Sequence, residues 1–574
     1  MSERKIRYLV LFAVIATTAL VHSGCLFLGF NSFWDLIHVY RNPFQSSISL
    51  ELAGRAFTRV VEAEYTPFRS LSNSLDYTLW GNNALGHHLT SYLIFLFSTA
   101  LVFVLVERLM DQARYPFKRR IFVAGLTALL FGIHPLKVQV VAWVTTRDYQ
   151  LGAFFYLLCV LIYTKWLRSE SIGWYVLAVL FALCASLSQA MAVSLPLGLI
   201  LLDYYPLNRF KEVPATKLLV EKAPFVLIAL LTAVVTGQIR HNVQTLHPMD
   251  LSSLMLNGLE FPAALVFYLY KTVFPLHLAP IYPMESTGDP GFIIFSWVVI
   301  TGLVVVAAKM KKEHPAFFTG VLISIVMLLP AGGLVRSGAT VLADRYVQLA
   351  SLPLLLGIAW LITGSLRSPR FRCPVAVLGL AWIVFLVWKT VTYTALWDDA
   401  VGLTRQAYAR YPQSRIIELF MLRSYNNAAA GLTTEGKFDE AFDACRKAIE
   451  VNPAYPDTYT QLGIICLNQG KEEEGIRYFR KATELDPRDA DSFFNLGLAW
   501  KRVGNRSEAI AAFERVLMLD PHYARARHNL TLLRAPEPEY EKRKGQWPQR
   551  GSKGTKITKG TMATKRHKKA VYSY

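Results

Sequence analysis

The feature that most constrains this chain is a set of long apolar runs. Ile6–Phe30, Leu89–Val106 and Gly291–Ala308 are nearly free of charge and lack a polar face. A helix that is apolar all round belongs in lipid or in a protein interior, because a surface helix needs a polar side. Roughly 20 such residues, at about 1.5 Å each, cross a hydrocarbon layer about 30 Å thick. The runs therefore read as membrane spans; the first is too long for the apolar region of a cleavable signal peptide, although its end, Gly24-Cys25, resembles a lipoprotein cleavage site and leaves processing there as the alternative. Composition agrees. The chain is 53% hydrophobic and only 18% charged, whereas a soluble domain carries about a quarter charged residues.

Charge placement orients the spans, since short cytoplasmic loops collect Lys and Arg. Arg4, Lys5 and Arg7 set the N-terminus inside, and Arg114–Arg120, Lys165–Arg168, Arg209–Lys222, Lys309–Lys312 and Arg367–Arg372 mark later inner loops. The outer segments are then 31–86, 134–149, the surroundings of Gln189, 239–290 and 335–345. Phe261–Phe274 is short, contains Lys271 and runs into Pro275, so it reads as a re-entrant or interfacial helix on the outer side. This predicts an all-α, polytopic membrane domain of about eleven spans over residues 1–396.

Beyond the last run, Pro374–Leu396, the sequence turns polar and repetitive. Pro453, Pro487 and Pro521 are spaced by 34 residues, and small and large positions recur with them. One unit holds Tyr459, Leu462, Gly463, Gly470, Phe479 and Ala482; the next holds Phe493, Leu496, Gly497, Gly504, Ala509 and Phe513. An earlier, degenerate unit keeps Gly436, Ala441 and Ala448. Two helices per unit, small residues where they touch and a terminating proline make the tetratricopeptide pattern. Repeats are expected over 422–455, 456–489 and 490–523, with a capping helix at His522–Leu533, in a domain spanning 397–535. Such an α-solenoid binds protein or peptide.

Residues 536–574 form a basic tail that reads as disordered. Within it, Glu541–Tyr574 holds eleven Lys or Arg and one Glu, about half of the net charge of +20. Its alternative role is contact with anionic lipid or polymer. No nucleic-acid partner is expected. The six cysteines show neither metal spacing nor a disulfide framework, and no metal site is expected.

The outer segments carry the polar chemistry. In order come Phe33-Trp34-Asp35, Asn42-Pro43, Tyr65-Thr66-Pro67-Phe68-Arg69 and His87-His88. Then follow His134-Pro135-Leu136-Lys137-Val138-Gln139-Val140-Val141-Ala142-Trp143, Arg147-Asp148, Ser188-Gln189, Leu278-Ala279-Pro280-Ile281-Tyr282-Pro283 and Asp344-Arg345-Tyr346. Taken in this order, and with the repeats behind them, the motifs resemble the GT-C glycosyltransferases, most closely the transmembrane-and-TPR, O-mannosyltransferase-like branch. The resemblance covers roughly residues 5–535. This chain departs from the pattern at Leu36, where the family has a second acid, at Gln139, where it has Glu, and at Gln189, where it has Lys.

The resemblance implies a metal-independent, inverting membrane glycosyltransferase. It would move a sugar from a polyprenyl-phosphate-linked donor to a protein or glycan hydroxyl on the non-cytoplasmic face. No cofactor is implied beyond that donor substrate, and the repeats would hold the acceptor. Such chemistry needs a base for the attacking hydroxyl and cations for the leaving phosphate. By resemblance Asp35 is the base. Arg345, Arg147, Lys137 and His88 are candidates for the donor phosphate, with His134, Asp344, Arg69 and Tyr346 in support. Alternatives stay open: Arg345 pairing with Asp344, Arg147 pairing with Asp148, and His134 shaping its loop. A bacterial inner membrane with periplasmic repeats is the expected location, an endoplasmic reticulum membrane with lumenal repeats the alternative. The rival function is an inactive GT-C-derived scaffold whose repeats assemble partners. A transporter is disfavoured because the span interiors are almost free of charge.

Overall fold

A computed structural model describes residues 2–30, 35, 48–60, 64–242, 251–283, 288–330, 332 and 342–534. Trp34, Leu36, Asn42-Pro43 and the basic tail lie outside the described residues. The described structure is helical, with an isolated antiparallel bridge between Tyr282 and Leu342. It divides into two compact units, Met1–Ile417 and Glu418–Tyr574. The first unit thus runs past Leu396. Trp397 packs on Trp143 with ring centroids 5.7 Å apart, and Leu403 of the helix Ala400–Arg410 is buried in the same core.

Among the described residues, six helical segments of the first unit are long and apolar enough to cross a membrane: Glu3–Phe27, Ala84–Gln112, Val144–Ser169, Ala215–Ile239, Pro290–Met310 and Pro369–Leu396. A seventh candidate is a pair, Phe117–Ile133 and Pro135–Ala142, bent by 56°. Ile172–Ser188, Ala190–Tyr204, Pro315–Leu328 and Leu352–Ser365 are apolar but shorter. Six segments, or seven with the bent pair, therefore meet the length of a crossing, and the expected eleven is not established. The region expected to be interfacial belongs to a longer helix, Leu251–Val273, with Pro262 inside it.

The ion pairs show which basic residues lie together. Arg7 reaches Glu107 at 2.6 Å, Arg120 pairs with Asp111, and Arg168 meets Asp111 at 2.7 Å. Arg209 lies 5.5 Å over the ring of Trp166. Basic residues from the N-terminus and from three separate loops therefore gather at one end of the unit. The 23-residue helix Arg147–Ser169 starts at Arg147 and reaches that end at Arg168, about 33 Å along its axis. Asp76, paired with Arg147, and Asp35, bonded to Thr145, lie at the other end.

Inside a bilayer, a helix that stops leaves carbonyls with no water to accept from. Pro135 forces such a stop after Ile133, because proline lacks an N–H and disfavours helix at the residue before it. The freed carbonyls find side chains instead: His22 Nε2 lies 2.9 Å from Gly132 O, and Thr390 donates to Ile133 O at 2.6 Å. Gly132 also lets Thr18 approach so closely that an added Cβ would lie 2.2 Å from its Oγ1. Small residues at helix contacts serve this purpose in membranes.

In the second unit the 34-residue period has a direct structural cause. Gly436, Gly470 and Gly504, 34 residues apart, take φ of +78°, +77° and +85°, each after the first helix of a repeat, a left-handed conformation glycine adopts at little cost. Cβ atoms at Gly463 and Gly497 would meet the rings of Phe479 and Phe513 at 2.6 and 2.8 Å. The terminal helix runs Ala524–Arg534, two residues later than expected, because Asp520 accepts from His522 N at 2.9 Å and holds a turn there.

Candidate active site

The polar residues singled out from the sequence separate into two groups. One group spends its hydrogen bonds on irregular backbone. Lys137 is fully buried, and its ammonium donates to Val347 O at 3.2 Å, Gln348 O at 2.8 Å and Ser351 Oγ at 2.8 Å. These bonds match its three protons, so Lys137 clamps the turn that carries Arg345. His134 uses both ring nitrogens: Nε2 lies 2.8 Å from Thr272 O, and Nδ1 accepts from Leu136 N at 3.2 Å. It shapes its loop. Replacing Lys137 with Met strips partners from buried acceptors, each worth about 1–3 kcal/mol. A lowered melting midpoint of the detergent-solubilised protein is the expected result.

Arg147 is fully buried as well, and its partner is Asp76 rather than Asp148. It also donates to His87 O at 2.6 Å and to Ser91 Oγ at 3.1 and 3.2 Å, while Thr90 donates to the other Asp76 oxygen at 2.7 Å. This pins the helix Pro67–Trp80 to the helices Ala84–Gln112 and Arg147–Ser169. Breaking a buried pair on one side costs about 3–5 kcal/mol, because it strands the other charge. Arg147→Met should therefore be poorly folded, and Arg147→Met with Asp76→Leu should recover a large part of the thermal stability in the same melting assay.

His88 is buried beside the end of the first membrane helix, with Nε2 3.5 Å from Gly29 O and its ring 6.3 Å from that of Phe30. Arg69 binds Glu64 at 2.7 Å. Asp344 is buried among Tyr282, whose hydroxyl donates to it at 2.7 Å, and Tyr393 at 3.3 Å. Burial pushes its carboxyl up to about 7, against the opposing pull of the Tyr282 hydrogen bond and Lys271. Among the described residues Asp344 forms no ion pair with Arg345.

The second group faces a cleft. Arg345, partly buried, lies over three rings, 5.8 Å from Trp143, 5.6 Å from Tyr149 and 4.9 Å from Tyr346. Among the described residues no carboxylate comes within ion-pair distance of its guanidinium. Its backbone N–H donates to Gln139 Oε1 at 2.8 Å, and the same amide donates from Nε2 to Pro280 O at 2.8 Å. Tyr149, Gln189, Arg345, Tyr346 and Gln348 line the cleft, and Gln189 donates to Asp148 Oδ2 at 2.6 Å.

Asp35 was expected at the membrane surface, yet it is buried. It accepts from Thr145 N at 3.2 Å and Thr145 Oγ1 at 2.6 Å. The base candidate and the cation candidate are thus anchored to one short stretch, Asp35 to Thr145 and Arg345 to Trp143. Two residues of backbone span at most about 7 Å. Asp76, Thr145, Tyr149 and Gln348 were not singled out from the sequence. They sit in no charge run or motif, and only tertiary contact brings them in.

Fold and site together define a polytopic helical membrane protein followed by a tetratricopeptide unit. Tetratricopeptide repeat models match residues 422–455, 456–489 and 490–523. The chain is similar to Protein O-mannosyl-transferase F38B6.6 of Caenorhabditis elegans, 22% identical over 428 residues, covering 72% of this chain and 58% of that protein. It is likewise similar to Protein O-mannosyl-transferase TMTC1 of Homo sapiens, 22% identical over 454 residues, covering 70% and 49%. The chain spans about half the length of the curated relatives it matches. Among solved structures, the first TPR of Spaghetti (RPAP3) bound to an HSP90 peptide is 22% identical. It covers 20% of this chain and 89% of that one, at a TM-score of 0.19. The relatives and the repeats agree with the likeness, read from the motifs, to the transmembrane-and-TPR O-mannosyltransferase-like proteins.

Proposed function

We propose that this protein is a glycosyltransferase that moves a sugar from a polyprenyl-phosphate donor to a hydroxyl of a protein or glycan. The observation that carries the reading is the anchoring of Asp35 and Arg345 to Thr145 and Trp143. In the reaction the acceptor oxygen bonds to the anomeric carbon as the bond from that carbon to the phosphate oxygen breaks. The acceptor's proton passes to the Asp35 carboxylate, acting as general base. Arg345 stabilises the charge left on the polyprenyl phosphate, and three aromatic rings keep its guanidinium in place. One displacement inverts the anomeric centre, and the cation takes the role a metal would otherwise fill. Lys137, Arg147 and His134 act here as positioning residues that hold the backbone around the site. Tyr346 supports Arg345, while His88 and Arg69 brace the approach to it.

The departure at Gln139 fits activity. Its two neighbours ask for one acceptor and one donor, Arg345 N and Pro280 O. An amide provides both, whereas an ionised glutamate accepts only. Loss of charge there therefore leaves the clamp on Arg345 intact. The basic ion-pair cluster at the far end supports a site on the non-cytoplasmic face. That face would be periplasmic in a bacterial inner membrane or lumenal in the endoplasmic reticulum. The repeats would present the acceptor. Full-length protein in lipid nanodiscs, supplied with polyprenyl-phosphate-linked radiolabelled mannose and membrane-extract protein, should transfer label to protein. Label confined to lipid and free sugar in every preparation would favour the scaffold reading.

A further inference from the structure

Gln348 stands out among the buried polar groups of the membrane unit. It is 4% exposed, lines the cleft beside Arg345, and among the described residues neither its amide nitrogen nor its amide oxygen has a hydrogen-bond partner. Its backbone is fixed, since Lys137 donates to Gln348 O at 2.8 Å. A buried amide with both atoms unpaired destabilises the fold, and such groups in a native fold call for an explanation. Ala153, Ala192, Met327, Leu349 and Ala350 give the cleft apolar walls, and the Gln189 amide that also lines it already donates to Asp148. A charged ligand head group held by Arg345 would therefore have beside it, in the Gln348 amide, a neutral donor–acceptor pair with both ends unused. Phosphate oxygens only accept. A sugar's adjacent hydroxyls both donate and accept, which is what the two ends of an amide complement.

We propose that the Gln348 amide hydrogen-bonds the sugar hydroxyls of a phosphate-linked glycosyl lipid whose phosphate pairs with Arg345. This rests on the function proposed above and adds to it the residue that distinguishes loaded from spent donor. The loaded lipid satisfies both ends of the amide, and the bare polyprenyl phosphate left after transfer, held by Arg345, offers it no sugar hydroxyl. Release of the spent carrier follows from that difference.

The test compares binding of polyprenyl phosphate and polyprenyl-phosphate-linked mannose to the full-length protein in nanodiscs, together with its melting midpoint without lipid. For Gln348→Met, affinity for the mannosylated lipid should fall about tenfold, the scale of one or two neutral hydrogen bonds. Affinity for the bare lipid should change by less than about twofold. The melting midpoint should stay level or rise, because an unpaired buried amide has been removed. Gln348→Leu provides a second apolar variant. Equal changes for both lipids, no change for either, or a lowered melting midpoint in both variants would overturn the assignment to Gln348. If the unsubstituted protein binds neither lipid, the donor reading itself falls. Arg345→Gln should weaken both lipids alike, separating the phosphate contact from the sugar contact.

Discussion

Asp35→Asn should lower sugar transfer by about a thousandfold while leaving the protein folded, a loss within the ~10²–10⁴ range of general acid–base catalysis. Asn keeps the shape of the side chain and an oxygen that accepts from Thr145 N and Oγ1, now 3.2 and 2.6 Å from the carboxylate. The hydrogen bonds that position residue 35 therefore survive, and what disappears is the ability to take a proton. The melting midpoint should shift little and binding of the mannosylated lipid should persist, so the loss falls on turnover. Rate and lipid affinity, measured on the same nanodisc preparation, separate this outcome from unfolding. Unchanged transfer in Asp35→Asn would remove Asp35 from the chemistry.

The second large effect is at Arg345. Removing a preorganised donor that faces developing negative charge costs about a hundred- to a thousandfold in rate, so transfer by Arg345→Gln should fall by that order. Arg345→Lys should recover only a small part. The guanidinium lies 5.8, 5.6 and 4.9 Å from the ring centroids of Trp143, Tyr149 and Tyr346, and an ammonium neither stacks on aromatic rings nor offers two parallel N–H groups to a phosphate. Steady-state transfer by the three proteins checks this. If the lysine variant is fully active, a simple point charge suffices and the aromatic cradle has no role in orienting the cation.

The periodic features were legible. A 34-residue period needs only the recurrence of glycines, prolines and aromatics, and the structure ties it to left-handed turns at Gly436, Gly470 and Gly504. Apolar runs announced the membrane helices, because lipid demands them locally. Short helices such as Leu352–Ser365 show why a count of crossings does not follow: apolarity is local, whereas crossing depends on where each helix lies. The site was legible by residue type but not by role. A buried Lys, His or Arg at the end of a span looks alike in sequence whether it faces a ligand or an orphan carbonyl. Lys137, His134 and Arg147 turned out to hold backbone and a buried carboxylate, contacts separated by up to 214 residues. Gln348 had no signal at all. Its meaning lies in the absence of a partner, which appears only once the neighbours are placed.

The most direct test of the account is photolabelling of the full-length protein in nanodiscs. The probe is a short polyprenyl phosphate bearing a diazirine on its first isoprene unit, and the adducts are mapped by peptide mass spectrometry. Adducts on residues 143–156 and 345–350, diminished in Arg345→Gln, are the predicted result. Adducts confined to the opposite end, around Arg168 and Arg209, would contradict it.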